Sequence, residues 1–191
     1  SLYEYQENES RFSFVRGLHY DYSATSLVGA LYAHKTSKLS EHITIDLGAR
    51  AEFTTYNYDN NATVGRSGRF IRVADRIDNF LTITPKASLS YDFDNKNMIY
   101  VRAARGSRAP QVSDLYSVQQ NQVAGEAEIE TLDSLELGFK GKIGSFDTEL
   151  SAFSMWKDNF FFRNSNGFNV VNGKTRHQGM ELSFIGYLTD W

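Results

Sequence analysis

Apolar and polar residues alternate along most of this chain, and the alternation sets its secondary structure. From Ile43 to Phe53 the apolar positions are Ile43, Ile45, Leu47, Ala49, Ala51 and Phe53, and between them stand Thr44, Asp46, Gly48, Arg50 and Glu52. A period of two sustained this long is a strand with one apolar face. The same period runs through Phe80–Phe93, with Leu81, Ile83, Ala87, Leu89 and Tyr91 on one side, and through Met98–Arg105, with Ile99, Val101 and Ala103 opposed to Tyr100, Arg102 and Ala104. Leu135–Ile143, Phe146–Phe162 and Val170–Tyr187 continue the pattern, Thr25–Lys35 precedes it, and the alternating aromatics of Arg11–Tyr22 predict one more strand. The expected content is seven or eight strands and no long helix.

The connections alternate too. Thr36-Ser37-Lys38, Asp94-Asn95-Lys96-Asn97 and Gly144-Ser145 read as short turns. Asn57–Asp78 and Ala109–Glu130 read as long polar loops, the second with a helical turn within Asp114–Val123, and Arg163–Gly167 as a short one. Short turns at one end and long loops at the other define an all-β, antiparallel up-and-down transmembrane β-barrel, whose short turns face the periplasm. Pro85 falls inside the Phe80–Phe93 strand and lacks an N–H, so a bulge or a ladder defect is expected there.

Length separates a membrane wall from a soluble sandwich. The Ile43–Phe53 strand would extend roughly 37 Å, and about 26 Å of height when tilted near 45°, which is the height of a barrel's apolar band. Soluble strands average only about 5–6 residues. Turning Arg50 into lipid at midplane would cost about 2–4 kcal/mol. The apolar face is therefore outside, and Asp46, Arg50, Glu52, Glu136 and Lys140 face the lumen.

Composition agrees without deciding alone. The chain of 191 residues has no apolar run near 18 residues, so a transmembrane helix is excluded. A mean hydropathy of -0.44 suits a barrel, whose lipid-facing residues alternate with polar ones. The 14% of aromatic residues suits strands and interfacial girdles, and Phe160-Phe161-Phe162 is placed for such a girdle. There is no cysteine, hence no disulfide framework or thiolate metal site, and a net charge of -3 without a basic block points away from nucleic acid.

No catalytic or metal-binding pattern emerges. His19, His34, His42 and His177 lack ligand spacing, and Asp92-Phe93-Asp94 lacks the Gly and Glu of a calcium loop. Asn172-Gly173-Lys174-Thr175 has Phe168 where a phosphate loop needs glycine. The expectation is no enzyme, no cofactor and no metal site. The first long loop instead carries Arg66, Arg69, Arg72 and Arg76, nearly balanced by Asp59, Asp75 and Asp78. They are read in two ways. They form a solvated loop, or they hold an anionic ligand at a barrel mouth, such as a carboxylate- or catecholate-rich metal chelate. In the second reading Tyr56, Tyr58, Tyr116, Gln119, Gln120 and Gln122 add hydrogen bonds and stacking surface.

Several phrases together resemble the C-terminal barrel part of TonB-dependent outer-membrane receptors of the ferric-siderophore type. They are Asp46-Leu47-Gly48-Ala49-Arg50-Ala51-Glu52, Pro85-Lys86, Tyr100 with Arg105-Gly106-Ser107-Arg108-Ala109-Pro110, Leu115-Tyr116, Glu130 before Ser134-Leu135-Glu136-Leu137-Gly138, Phe153 with Lys157-Asp158-Asn159, and Asn172 through Glu181. The resemblance implies a barrel of about 22 strands with a plugged lumen. It also implies a location in the bacterial outer membrane among its lipids, a separate plug domain that contacts TonB, and active transport of a scarce ligand, most often a ferric siderophore or other iron complex. On this reading residues 1–191 are part of the barrel domain without its plug. The alternative is a complete eight-stranded outer-membrane barrel with a structural or adhesive role.

Overall fold

The computed structural model describes residues 19–94, 96–120, 122–165 and 169–186. Most of the Arg11–Tyr22 strand expected from the sequence, Gly167 and the last residue of Val170–Tyr187 lie outside these. The elements are β1 (Tyr22–Lys38), β2 (Ile43–Asn60), β3 (Gly65–Ser67), β4 (Phe70–Arg72), β5 (Arg76–Asp92), β6 (Met98–Arg108), α1 (Val112–Tyr116), β7 (Val118–Gln119), β8 (Glu130–Ile143), β9 (Phe146–Arg163) and β10 (Asn169–Ile185). Seven of them form one antiparallel sheet in the order β1-β2-β5-β6-β8-β9-β10, and β3, β4 and β7 form a second, small one. Every neighbour in the large sheet is also the next wall strand in sequence, as up-and-down topology requires. The sheet is open. Among the described residues β1 and β10 do not pair, so these strands do not close on themselves as an eight-stranded barrel would.

The strands outrun their expected lengths for identifiable reasons. β2 continues past Phe53 to Asn60 because Tyr56 and Tyr58 keep the alternation and pack inside. The first long loop therefore shrinks to the stretch between Asn60 and Arg76, and β3 and β4 fold most of that into a hairpin. β6 runs on to Arg108 because cross-strand ion pairs extend its ladder with β8: Arg105 to Asp133 at 2.7 Å and Arg108 to Glu130 at 3.0 Å. The helical turn lies slightly earlier than expected, at Val112–Tyr116, where the Asp114 carboxylate accepts the Gln111 N–H at 3.2 Å.

Of the two outcomes expected at Pro85, the structure has the ladder defect and not the bulge. The β2–β5 register passes through Ala49↔Pro85 without a bulge. The defect lies on the other side: the β5–β6 ladder stops at Lys86↔Ala104, beside the residue that has no N–H to give. Above it the Ser107 hydroxyl donates to the Ile83 carbonyl at 3.2 Å. True bulges occur between β9 and β10, where the register shifts once between Val170 and Gly173 and back between Gly173 and Thr175. Asn159 takes the positive φ of 58° that such a site demands, and its amide reaches Glu128 and the Ile129 carbonyl.

One face of the large sheet carries an exposed apolar band. Its upper edge, toward the loops, is Leu27 on β1, Phe53 on β2, Leu81 on β5, Ala103 on β6, Leu135 on β8, Ala152 on β9 and Met180 on β10. The next residue above each on that face is polar: Thr25, Thr55, Asn79, Arg105, Asp133, Ser154 and Gln178. Traced through the pairings, Met180 stands level with Ser37 of β1, ten residues beyond Leu27, after six strand-to-strand steps. That is about 34 Å along the strands over about 29 Å across them, a slope of roughly 50°. A level membrane band drawn on strands tilted by about 35–45° climbs in nearly this way. The apolar face is the outward one, and the opposite face is inward.

The packed core is not in the wall but above it, on the inward face at the loop end. Tyr20, Tyr22, Ala24, Tyr58, Phe70, Val73, Leu115, Tyr116, Val118 and Ala127 form one buried cluster.

Candidate functional site

The inward face at the loop end is built by the loop after β6 folding back over the wall. Its α1 sets Tyr116 flat against Tyr58 of β2, with ring centroids 4.2 Å apart, and Tyr58 leans on Tyr22 of β1 at 5.1 Å. The Tyr116 hydroxyl donates to Asp78 of β5 at 2.8 Å, and Arg76 grips the same carboxylate with two donors, at 2.7 and 2.5 Å. The loop returns past this guanidinium at Gly125, whose φ of 78° suits glycine; a Cβ there would lie 2.3 Å from Arg76 Nη2. Burial first, and then the bond to Asp78, push the Tyr116 hydroxyl well above its ordinary pKa, so it stays a donor. Burial also raises the Asp114 carboxyl.

The small sheet lies against this cluster. β4 pairs with β7, Phe70 opposite Gln119, and of the loop arginines Arg66 lies on β3, Arg69 in the β3–β4 turn and Arg72 on β4. Arg66 donates to the Gly68 carbonyl at 2.7 Å and to the Gln120 side chain. Arg69 lies over the Phe70 ring at 5.2 Å, and Arg72 donates to the His19 carbonyl at 2.9 Å. The Gln122 side chain accepts the Gln119 N–H at 3.1 Å and the Asn169 amide at 3.4 Å.

The structure thus divides the eight residues expected to touch a ligand. Tyr58, Tyr116, Gln119 and Gln122 are buried and hold the loop on the wall. Arg76 and Arg72 are partly buried and tie elements together, while Arg66 and Arg69 are exposed on the β3–β4 hairpin. Asp78 was read only as balancing charge, and its central place could not be seen without knowing that Tyr116 returns to β5. The sequence places Tyr20 and Tyr22 only among the alternating aromatics of a strand and gives Phe70 no role, although the Tyr-x-Tyr spacing at Tyr20/Tyr22 matches that at Tyr56/Tyr58.

Arg50, Glu52, Glu136 and Lys140 share the inward face with this loop. Arg50 pairs with Glu52, Glu136 accepts the Tyr100 hydroxyl at 2.8 Å, and Lys140 meets Glu149 at 3.3 Å. The Asp46 carboxylate on the same face takes His34 at 2.6 Å and Thr36 at 2.8 Å. Among the described residues no three His, Asp or Glu side chains are grouped to hold a metal ion. A cavity of about 770 Å³ lies away from the loops along small residues of the wall, among them Ala33, Ala49, Pro85, Ala87 and Ala103, and ends at Arg105 and Asp133.

Solved structures place this sheet in context. It superposes on the ferric-catecholate import receptor Fiu from E. coli K12 with a TM-score of 0.64 at 18% identity, covering 91% of this chain and 28% of that one. Against the copper transporter OprC the TM-score is 0.69 at 15% identity, covering 87% and 26%. Against the ferric yersiniabactin uptake receptor FyuA from Yersinia pestis it is 0.63 at 17%, covering 85% and 24%. The chain spans about a quarter of the length of these structures. A sequence comparison with curated proteins finds no match. The model of the TonB-dependent receptor-like β-barrel matches residues 3–191, end to end through the wall and its loops, and the chain belongs to that family.

Proposed function

We propose that this chain forms part of the wall and mouth of an outer-membrane transporter that takes up an anionic iron chelate, such as a ferric siderophore. Members of the family are outer-membrane transporters rather than enzymes. The observation that carries the cargo reading is the pair Arg66 and Arg69, exposed on a hairpin that the aromatic cluster holds at the loop end of the inward face. Two guanidinium groups on a fixed hairpin suit a carboxylate- or catecholate-bearing ligand. Uptake through TonB would run through a plug domain belonging to the complete receptor, seated against the inward charges of Arg50, Glu52, Glu136 and Lys140. The names of Fiu and FyuA support iron complexes as the cargo class.

The test is a titration of the complete receptor with a ferric catecholate. Replacing Arg66 and Arg69 together by Ala is expected to weaken binding at least tenfold. Unchanged affinity would leave these arginines as a solvated loop and end the cargo reading.

A further inference from the structure

The stretch between β2 and β3 carries a motif that transport does not use. Asn61-Ala62-Thr63 has the Asn-x-Thr spacing of an N-glycan acceptor, in which the threonine hydroxyl serves the reacting amide. The sequence holds one other triplet of this kind, Asn8-Glu9-Ser10. Only Asn61 has a carboxylate two residues ahead, at Asp59, where Asn8 has Gln6. An acidic side chain at that position is what bacterial oligosaccharyltransferases select in addition to the triplet.

The geometry leaves the acceptor open. β2 ends at Asn60 and β3 begins at Gly65, so the triplet lies in irregular chain that an enzyme can bend without unpairing a strand. The Asn60 side chain clamps Ala62, donating to its carbonyl at 2.7 Å and accepting its N–H at 3.2 Å. On either side of Ala62, Asn61 and Thr63 are exposed, as is Asp59. Among the described residues no hydrogen bond engages the Thr63 hydroxyl. The Asn61 amide donates to Asp21 at 3.3 Å, a long bond that takes one of its two hydrogens and leaves the other for substitution.

The position gives a sugar room. Asp21 stands between Tyr20 and Tyr22, both buried in the inward cluster, so the carboxylate that meets Asn61 is on the outward side. β2 runs seven residues past Phe53, where the apolar band ends. That is about 24 Å along the strand and roughly 18 Å of height at a tilt near 40°. A headgroup layer is only about 5–8 Å thick, so the acceptor stands clear of it.

We propose that Asn61, selected by Asp59, is an N-glycosylation site whose donor is an oligosaccharide carried on a lipid pyrophosphate. Asn61 Nδ2 bonds to the anomeric carbon, and the bond from that carbon to the pyrophosphate oxygen breaks. The oxygen keeps the electron pair, the lipid pyrophosphate leaves, and one amide hydrogen departs as a proton. The remaining N–H keeps its reach to Asp21. The site is independent of what the transporter carries.

The experiment purifies the complete receptor from the cells that naturally make it, digests it with trypsin and weighs peptide 51–66 by mass spectrometry. A heavier form with a sugar on Asn61 is expected, while the peptide holding Asn8 stays bare. Asn61→Gln and Thr63→Val should each remove the heavier form, Thr63→Ser should keep it, and Asp59→Asn should sharply reduce it. Bare peptide alone in the wild-type receptor, or a sugar that survives Thr63→Val, would overturn the site. Sugar on Asn8 as well as Asn61 would overturn the selection by Asp59. None of these outcomes bears on the cargo titration, so the two readings fail separately.

Discussion

The two ends of the wall solve the same problem by opposite means. At the turn end two of the connections are held by their own residues. Ser40 accepts the N–H groups of His42 and Ile43, at 3.3 and 3.1 Å, and Asp94 accepts those of Lys96 and Asn97, at 2.7 and 2.9 Å. At the loop end nothing of that kind suffices, and the chain is held by aromatic rings brought from β1, β2, β4 and α1 into one cluster. Local bonds make an end that forms as soon as its hairpin forms. A long-range cluster makes an end whose parts hold only together.

Truncating the cluster should break this contrast most severely. Tyr116→Ala removes a fully buried ring and its bond to Asp78, a loss of about 3–5 kcal/mol by analogy with buried aromatic truncations. Hydrogen exchange should quicken throughout residues 112–120 and leave the turns untouched. Exchange confined to the mutated residue would show that the loop end is held locally after all. Asp78→Asn, which keeps the shape but removes the charge gripped by Arg76, should cost less, about 1.5–3 kcal/mol, and loosen the same residues in a denaturant series.

The smallest effect belongs to the turn end and depends on pH. Bonds from the Asn97 side chain and the Lys96 N–H hold the Asp94 carboxyl below its usual 3.8. A group whose pKa is lowered by folding stabilises the fold above its unfolded value and loses that contribution as pH falls through the folded one. Exchange at Lys96 and Asn97 should therefore rise, relative to intrinsic rates, as the solution is acidified below about 3.8, and Asp94→Asn should flatten that dependence. A profile indifferent to the substitution would sink the assignment.

The contrast also explains what could be read in advance. Period-two alternation is local, so the faces of Ile43–Phe53 and Met98–Arg105 were legible, and with them the placing of Arg50, Glu52, Glu136 and Lys140 on the face opposite the apolar band. The extension of β2 to Asn60 was missed because it depends on where Tyr56 and Tyr58 are buried. The loop residues were harder still. Tyr58, Tyr116, Gln119 and Gln122 have the composition of a binding surface, and only the return of α1 onto β5 turns them into the loop's anchors.

The short ladder beside Pro85 has a mechanical consequence. It divides the wall into two panels, β1-β2-β5 and β6-β8-β9-β10, stitched by backbone bonds only from Lys86 to the turn. Above that line the seam is crossed by the Ser107 bond to the Ile83 carbonyl and by the chain leaving β6, which fastens Tyr116 to Asp78 on the far panel. The loop is a buckle over a half-closed zip, hinged at the short turn, and the upper seam is held by two hydroxyls and one stacked ring.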